Sequence, residues 1–531
     1  MAHQLSVTLC SKCRSPLEFK PRINVNSANL DVSSDSALDP DKIPEIILLS
    51  NKDLDDYDAE INRLRSQISY VEKQKQLVHD YKTQLQSLLS FFRQFPNEIL
   101  CAIFELACTN NLFQEYPWPS NQQSGKPSTT LSSPAITYLP ALSISAVCTR
   151  WRSLALTLPR LWSQLRLEIS GYSVPVRADI HDRFMSILKL YLDRSADIPL
   201  SIDLETTDGD EGNPSALDQL LEHAYRWQTF NYFGDFNLRL SGLQPEVPSK
   251  FPILENLTLK GYDFPFTDLS CFEHAPKLRT VGAELLQTDS KLPWAQITCL
   301  EVGESNEIMI NTLQQCHDLT ALKLRSSLRS KWGPNPGDIS LARVESFTLF
   351  DYANLLENAF YTFTFPSLTE LIIQQDAYKD LWPVESFNTF ISRSSCALTT
   401  LSLSRVTISD LNLISALRLL PFLTTFSLDG LMDPNYGSPI TSHFISSMHS
   451  SSPQPLLPKL RSLSIKFLGT LFDDAGLAGM VSSRWIPDRS LGINCLRSLV
   501  LCFSDRKVEE VYKPLWDLDR MGMRVVITGI D

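Results

Sequence analysis

Three hydrophobic rhythms follow one another along this chain. From Leu54 the apolar positions step by three and four, through Tyr57, Ile61, Leu64, Ile68, Val71, Val78, Leu85, Leu89 and Phe92, with Lys75 and Lys82 in the two remaining seam positions. No Gly or Pro falls between residues 53 and 95, so the spacing predicts one long amphipathic helix over 53–92. A narrow apolar stripe of this kind is unstable alone in water. It leaves two ways of covering it open: a twin helix in a homodimer through residues 54–92, or the rest of the chain.

The second rhythm is shorter. Phe95-Pro96-Asn97-Glu98 opens a helix, because proline is tolerated where its missing N–H has no partner and Glu98 complements the positive helix end. Ile99, Leu100, Ile103, Phe104 and Ala107 then recur at helical spacing, and Ile144, Val147, Cys148, Trp151, Leu154 and Ala155 do so again further on. Between them, residues 109–138 are rich in Pro, Ser, Thr, Gln and Asn and read as a looped-out insertion, since surface loops tolerate added length at small cost.

After Trp162 the pattern turns to short strands. An apolar L-x-x-L-x-L template fits at 162, 227, 254, 297, 319, 344, 368, 398, 423, 460 and 496, and weakly at 199 and 278. A proline stands two residues before the first position at Pro252, Pro276, Pro366, Pro421 and Pro458, and the starts lie 19 to 37 residues apart. Helical stripes fill several gaps: Phe184, Ile187, Leu188 and Tyr191; Leu217, Leu220, Leu221 and Ala224; Ile308, Leu313 and Cys316; Phe387, Phe390 and Ile391; Ile414, Leu417 and Leu420. Strand and helix repeating in one direction give parallel strands, and this period predicts an irregular leucine-rich-repeat solenoid with the strands on its concave face. In FPILENLTLK, Leu254, Leu257 and Leu259 should point inward, with Asn256, Thr258 and Lys260 facing the concavity. Equivalent outward positions are expected at Lys323, Thr348, Glu370, Ser402, Ser427, Ser464 and Val500, a mainly small and uncharged surface. The segments 430–457 and 469–494 read as excursions from one edge, and RVVITG at 524–529 as a terminal strand.

Composition narrows the function classes. The chain has 531 residues, 43% hydrophobic and 20% charged, with a formal charge of −12. That balance belongs to a folded protein and argues against nucleic acid or an anionic membrane as the main partner. No secretory signal opens MAHQLSVTLCSKCRS and no apolar run is long enough to span a bilayer, so an intracellular protein of the cytoplasm or nucleus is expected. Cys10 and Cys13 form a lone C-x-x-C with only His3 nearby as a further ligand, and two ordinary thiols are expected there rather than a metal site. No phosphate-binding loop, H-E-x-x-H helix, G-x-S-x-G elbow or dinucleotide turn occurs, and Cys316-His317 diverge on a helix. No cofactor and no catalytic residue are expected.

The second rhythm carries a resemblance. Pro96, Glu98, Ile99, Leu100, Ile103, Phe104, Val147, Cys148, Trp151, Arg152, Pro159, Leu161 and Trp162 stand in the order of an F-box, of the kind found in large fungal families of F-box proteins with leucine-rich repeats. Phe95 stands where that family usually has leucine. The resemblance implies a small helical module that docks the Skp adaptor of a Skp/cullin/F-box ubiquitin ligase through Phe95, Pro96, Ile99, Leu100, Ile103, Phe104, Val147 and Trp151. It implies a non-catalytic receptor whose repeat domain binds a target protein. The resulting α/β architecture is a flexible arm over 1–52, the long helix over 53–92, the F-box over 93–162 with its insertion at 109–138, and the repeats over 163–531. A scaffold working outside a ligase, dimerising through the N-terminal helix, is the alternative.

Overall fold

The computed structural model describes residues 22–23, 40–88, 91–114, 139–170, 178–207, 215–234, 250–261, 272–284, 291–303, 307–325, 339–351, 355–375, 381–430, 439–467, 473–488, 492–504 and 506–530. The fold is mixed α/β, with a long N-terminal helix and a large sheet of parallel strands. The chain divides into two compact units, Met1–Ile99 and Leu100–Asp531.

The first unit is built on α1 (Ile43–Leu88), a helix of 46 residues, about 69 Å long at 1.5 Å per residue. It starts ten residues earlier than the seam predicts. IPEIILLS, expected to lie in a flexible arm, forms its opening turns, because Pro44 falls in the first turn where it removes no helical hydrogen bond. It also stops short of 92, and Phe91–Arg93 form a separate 3-10 turn. Arg63 pairs with Glu60 at 2.6 Å, one turn back. Asp53 is buried because Arg22 reaches it: the carboxylate accepts from the Arg22 guanidinium at 2.8 Å and from the Arg22 and Ile23 amides at 2.8 and 3.1 Å. The same guanidinium also meets Asp56 at 2.7 Å.

The second unit carries the helices α2 (Asn97–Ala107, which begins in the first unit), α3 (Pro140–Val147) and α4 (Thr149–Leu156) together with the sheet. Its strands are β1 (Asn111–Gln114), β2 (Gln164–Ser170), β3 (Leu200–Thr207), β4 (Trp227–Phe233), β5 (Asn256–Lys260), β6 (Thr280–Ala283), β7 (Cys299–Val302) and β8 (Ala321–Arg325). They continue as β10 (Ser346–Asp351), β12 (Glu370–Gln375), β13 (Thr400–Ser404), β14 (Thr425–Asp429), β15 (Ser462–Phe467), β16 (Ser498–Phe503) and β17 (Arg524–Thr528). Among the described residues all fifteen pair in parallel and in chain order; β9 (Ile339–Ser340) and β11 (Phe363–Thr364) form a separate pair. All thirteen template matches lead into a strand, and RVVITG contains β17.

The alternation within each strand explains the register. Leu371, Leu401, Phe426, Leu463 and Leu499 stand side by side across five strands and are all buried. The prolines before the strands have a common cause. The amides of Leu278, Leu368, Leu423 and Leu460 each donate at 3.2 Å to the carbonyl three residues back. That places Pro276, Pro366, Pro421 and Pro458 at the second position of a tight turn, where a fixed φ is already correct.

The helices that return the chain include α5 (Ala178–Arg194), α6 (Ser215–Leu221), α7 (Glu307–Leu313), α8 (Leu355–Thr362), α9 (Val384–Ser394) and α10 (Asp410–Arg418). The two expected excursions are corrected: α11 (Ser442–Met448) and α12 (Asp474–Trp485) lie within them and bury Phe444, Met448, Leu477, Met480 and Val481. Their Ser- and Gly-rich sequences hide short apolar stripes that pack on each other. Arg484 on α12 is fully buried and donates to the carbonyls of Met448, Leu456 and Leu457, the last at 2.9 Å. A final helix, α13 (Lys513–Arg520), precedes β17.

Two further expectations are corrected where the helical module meets the sheet. The insertion 109–138 does not lie wholly outside the fold: its residues 111–114 are β1, the edge strand, paired with β2. Residues 115–138 of that insertion lie outside the described residues. The stripe from Ile144 to Ala155 is not one helix but two, parted at Cys148, whose backbone is extended at φ −159 and ψ 171.

Candidate functional site

The helical module hangs on one polar side chain. Asn111 occupies the column that Leu165, Ile202 and Phe230 fill on the next three strands, and it is fully buried. Its amide donates to the carbonyls of Leu161 at 3.0 Å and Gln164 at 2.9 Å. Its oxygen accepts from the Tyr191 hydroxyl at 3.3 Å and from the Ala141 amide, the latter at 3.4 Å. One residue thereby joins β1, the turn before β2, the start of α3 and helix α5. Tyr191 also packs edge-on against Phe113 and Trp162, each at 4.8 Å between ring centres. The Trp162 indole donates to the Ala155 carbonyl at 2.9 Å, fixing the end of α4.

The helices hold one another by equally specific contacts. Cys148 ends α3 and caps α4, its sulfur accepting from the Trp151 amide at 3.5 Å. Arg152 reaches back from α4 to the Ser145 carbonyl at 3.0 Å. Phe104 of α2 meets Trp151 of α4 edge to face at 4.9 Å.

These contacts split the residues that the resemblance assigns to docking. Leu100 and Phe104 are 1% exposed and are structural anchors, so their assignment to a partner surface is corrected. Trp151 is half-buried, with its ring turned towards Phe104. Pro96 is exposed and Phe95 half-exposed, in van der Waals range of Phe92 with ring centres 5.8 Å apart. Ile99, Ile103 and Val147 are exposed by 48%, 40% and 60%. Leu106, at 77%, and Leu156, at 47%, join them and were not singled out from the sequence.

Helix α2 therefore carries two apolar stripes. Leu100, Phe104 and the following Cys108 face inward, whereas Ile99, Ile103 and Leu106, spaced by four and three, share an open face. Scattered apolar residues on a surface need no explanation, but an aligned row on a helix already buried along another row does.

The open face of the sheet is a second candidate surface. In register, the outward column runs Arg166, Asp203, Asn231, Thr258, Gly282, Glu301, Lys323, Thr348, Ile372, Ser402, Ser427, Ser464 and Val500. Glu370 stands one step earlier, beside Ser346 and Thr400, so Ile372 and not Glu370 is the equivalent of Thr258. From Thr348 onward the column is uncharged throughout, small except at Ile372 and Val500, whereas Arg166, Asp203, Glu301 and Lys323 interrupt its earlier part. Earlier strands are charged: Glu301 lies between Lys260 at 2.7 Å and Arg325 at 3.3 Å. Burial alone would raise the Glu301 carboxyl, but hydrogen bonds from Lys260 and Arg325 outweigh it and hold it below its ordinary range. Arg325 also lies over the Phe350 ring at 4.6 Å.

Among the described residues no group of three His, Cys, Asp or Glu side chains is placed to hold a metal ion, and Cys10, Cys13 and His3 lie outside them. Cys316 and His317 line a hollow with Leu313, Gln314, Ile339 and Arg343. Burial pushes the Cys316 thiol up to about 12, and the thiol donates to the Thr312 carbonyl at 3.4 Å. Among the described residues no helix is long and apolar enough to cross a membrane. No family model matches the chain, and no curated protein matches it significantly.

Proposed function

We propose that this chain is the substrate-recognition subunit of a Skp/cullin/F-box ubiquitin ligase. Its α2–α4 module docks a Skp-type adaptor and, through it, a cullin scaffold, while the strand array, a leucine-rich-repeat solenoid on this reading, holds a target protein. The observation that carries the proposal is the open row Ile99, Ile103 and Leu106 on a helix whose other stripe is already buried. Support also comes from the F-box order of residues and from the parallel, sequential strands, which are what a stack of repeats produces. The chain contributes proximity, holding acceptor lysines near a separate conjugating enzyme in the cytoplasm or nucleus.

The test is co-purification with the adaptor. Pro96→Ala together with Ile99→Ala removes exposed contacts without opening the core, so recovery of adaptor should fall to background. Unchanged recovery overturns the proposal. A second reading, a scaffold outside any ligase, is favoured by one observation, the exposed seam of α1. It expects a partner of the sheet face whose abundance does not respond to the same double substitution.

A further inference from the structure

Leu54, Ile61, Ile68, Val71, Val78 and Leu85 of α1 are all at least 42% exposed, along a seam with Lys75 and Lys82 in two of its positions. A seam alone does not name its cover; the charges do. Residues 43–60 carry six acidic groups and Lys52, a net of −5, whereas residues 61–88 carry five basic and two acidic groups, a net of +3. The helix is thus acidic in its first part and basic in its second.

From this we infer that α1 pairs with α1 of a second copy of the chain, antiparallel, with Ile68 of one copy level with Val71 of the other. This pairing does not depend on adaptor docking. A parallel pair would set Lys75 against Lys75 and Lys82 against Lys82 in the seam, each a like-charge contact in a partly dry interface. In the antiparallel register every seam position finds a seam partner: Leu54 meets Leu85, Ile61 meets Val78, Lys75 meets Leu64 and Lys82 meets Tyr57. A lysine stem can cover leucine or tyrosine while its ammonium reaches the edge, where the acidic half of the other helix waits. Arg65 also flanks Glu72 of the other copy, and Asp58 flanks His79. The Arg22 contact with Asp53 and Asp56 leaves the seam open.

The test uses the full chain in sedimentation equilibrium, with a photo-reactive phenylalanine analogue in place of Tyr57 to report orientation. The expected result is a dimer of 60.0 kDa chains that weakens as salt rises, because unlike charges are screened. It should be lost in Ile68→Glu/Val71→Glu with an unchanged circular dichroism spectrum of the rest of the fold. Cross-links from position 57 should map to the region of Lys82. A monomer at all concentrations, a dimer indifferent to the double substitution or strengthened by salt, or cross-links to residues 54–60 or to 100–531 would each overturn the pairing.

Discussion

The Tyr191 hydroxyl donates to Asn111 Oδ1 at 3.3 Å in a fully buried site, joining the edge strand β1 to helix α5 between β2 and β3. This contact matters beyond its own energy, because Asn111 also satisfies the carbonyls on either side of Trp162. Asn111→Ala takes the amide away from both carbonyls and the acceptor away from the Tyr191 hydroxyl, at a cost of about 2–3 kcal/mol, whereas Tyr191→Phe removes two longer hydrogen bonds, the one to Asn111 and the one accepted from the Leu142 amide at 3.3 Å, and costs about 1–1.5 kcal/mol. Denaturant unfolding of the two variants checks the order.

That edge strand also marks the limit of what the sequence reveals. Strands carrying Leu-x-x-Leu-x-Leu are legible because alternation records which side is buried, and the turn prolines mark their starts. Asn-Leu-Phe-Gln at 111–114 is not legible in this way, since a polar residue fills a core column and its partners, Leu161, Gln164 and Tyr191, are 50 to 80 residues away. The break at Cys148 is hidden for a related reason: Val147, Trp151 and Ala155 keep helical spacing straight across it. On α2 the periodicity merges Ile99 with Leu100 and Ile103 with Phe104. Only tertiary packing decides that the second of each pair is the anchor.

Arg484 is buried with backbone carbonyls and, among the described residues, no carboxylate pairs with it; burial brings its guanidinium down to about 10. Two effects oppose each other on replacement by methionine: relief of a desolvated charge and loss of donors to three carbonyls. The second should win, because three orphaned acceptors outnumber one charge already paired to them, and Arg484→Met is expected to destabilise by about 2–4 kcal/mol. Arg484→Lys should recover little, since an ammonium cannot reproduce the planar fork. Thermal unfolding of both variants is the measurement.

Asp474, at the start of α12, accepts from Arg506 and from the Tyr512 hydroxyl, and Arg506 also lies over Phe503 at 4.3 Å. Burial would raise the Asp474 carboxyl, but those hydrogen bonds more than offset it and hold it below the ordinary aspartate range. A group depressed in the folded state stabilises fully above its unfolded pKa, about 3.9, and that contribution is lost as pH falls through the lower folded value. Wild type should therefore lose stability below about pH 4 more steeply than Asp474→Asn, and near neutral pH the substitution should cost about 1–3 kcal/mol. Urea midpoints across an acid pH series test both statements.

Adjacent residues of β15 separate the two faces of the sheet. Leu463→Ala opens a cavity in a buried column and should cost about 2–5 kcal/mol, whereas Ser464→Ala on the open face should stay within about 0.5 kcal/mol. Equal effects in chemical denaturation would contradict the assigned register.

The claim on which the functional account turns is that the open row of α2 is a docking face. Isothermal titration of the full chain with a purified Skp-type adaptor measures it directly, with Ile103→Asp/Leu106→Asp as the comparison. Both side chains are exposed, so the variant should keep the wild-type melting temperature. The wild type should bind, and the variant should lose at least about tenfold, or 1.4 kcal/mol, in affinity. A folded wild type that does not bind, or a variant that binds equally well, contradicts that claim.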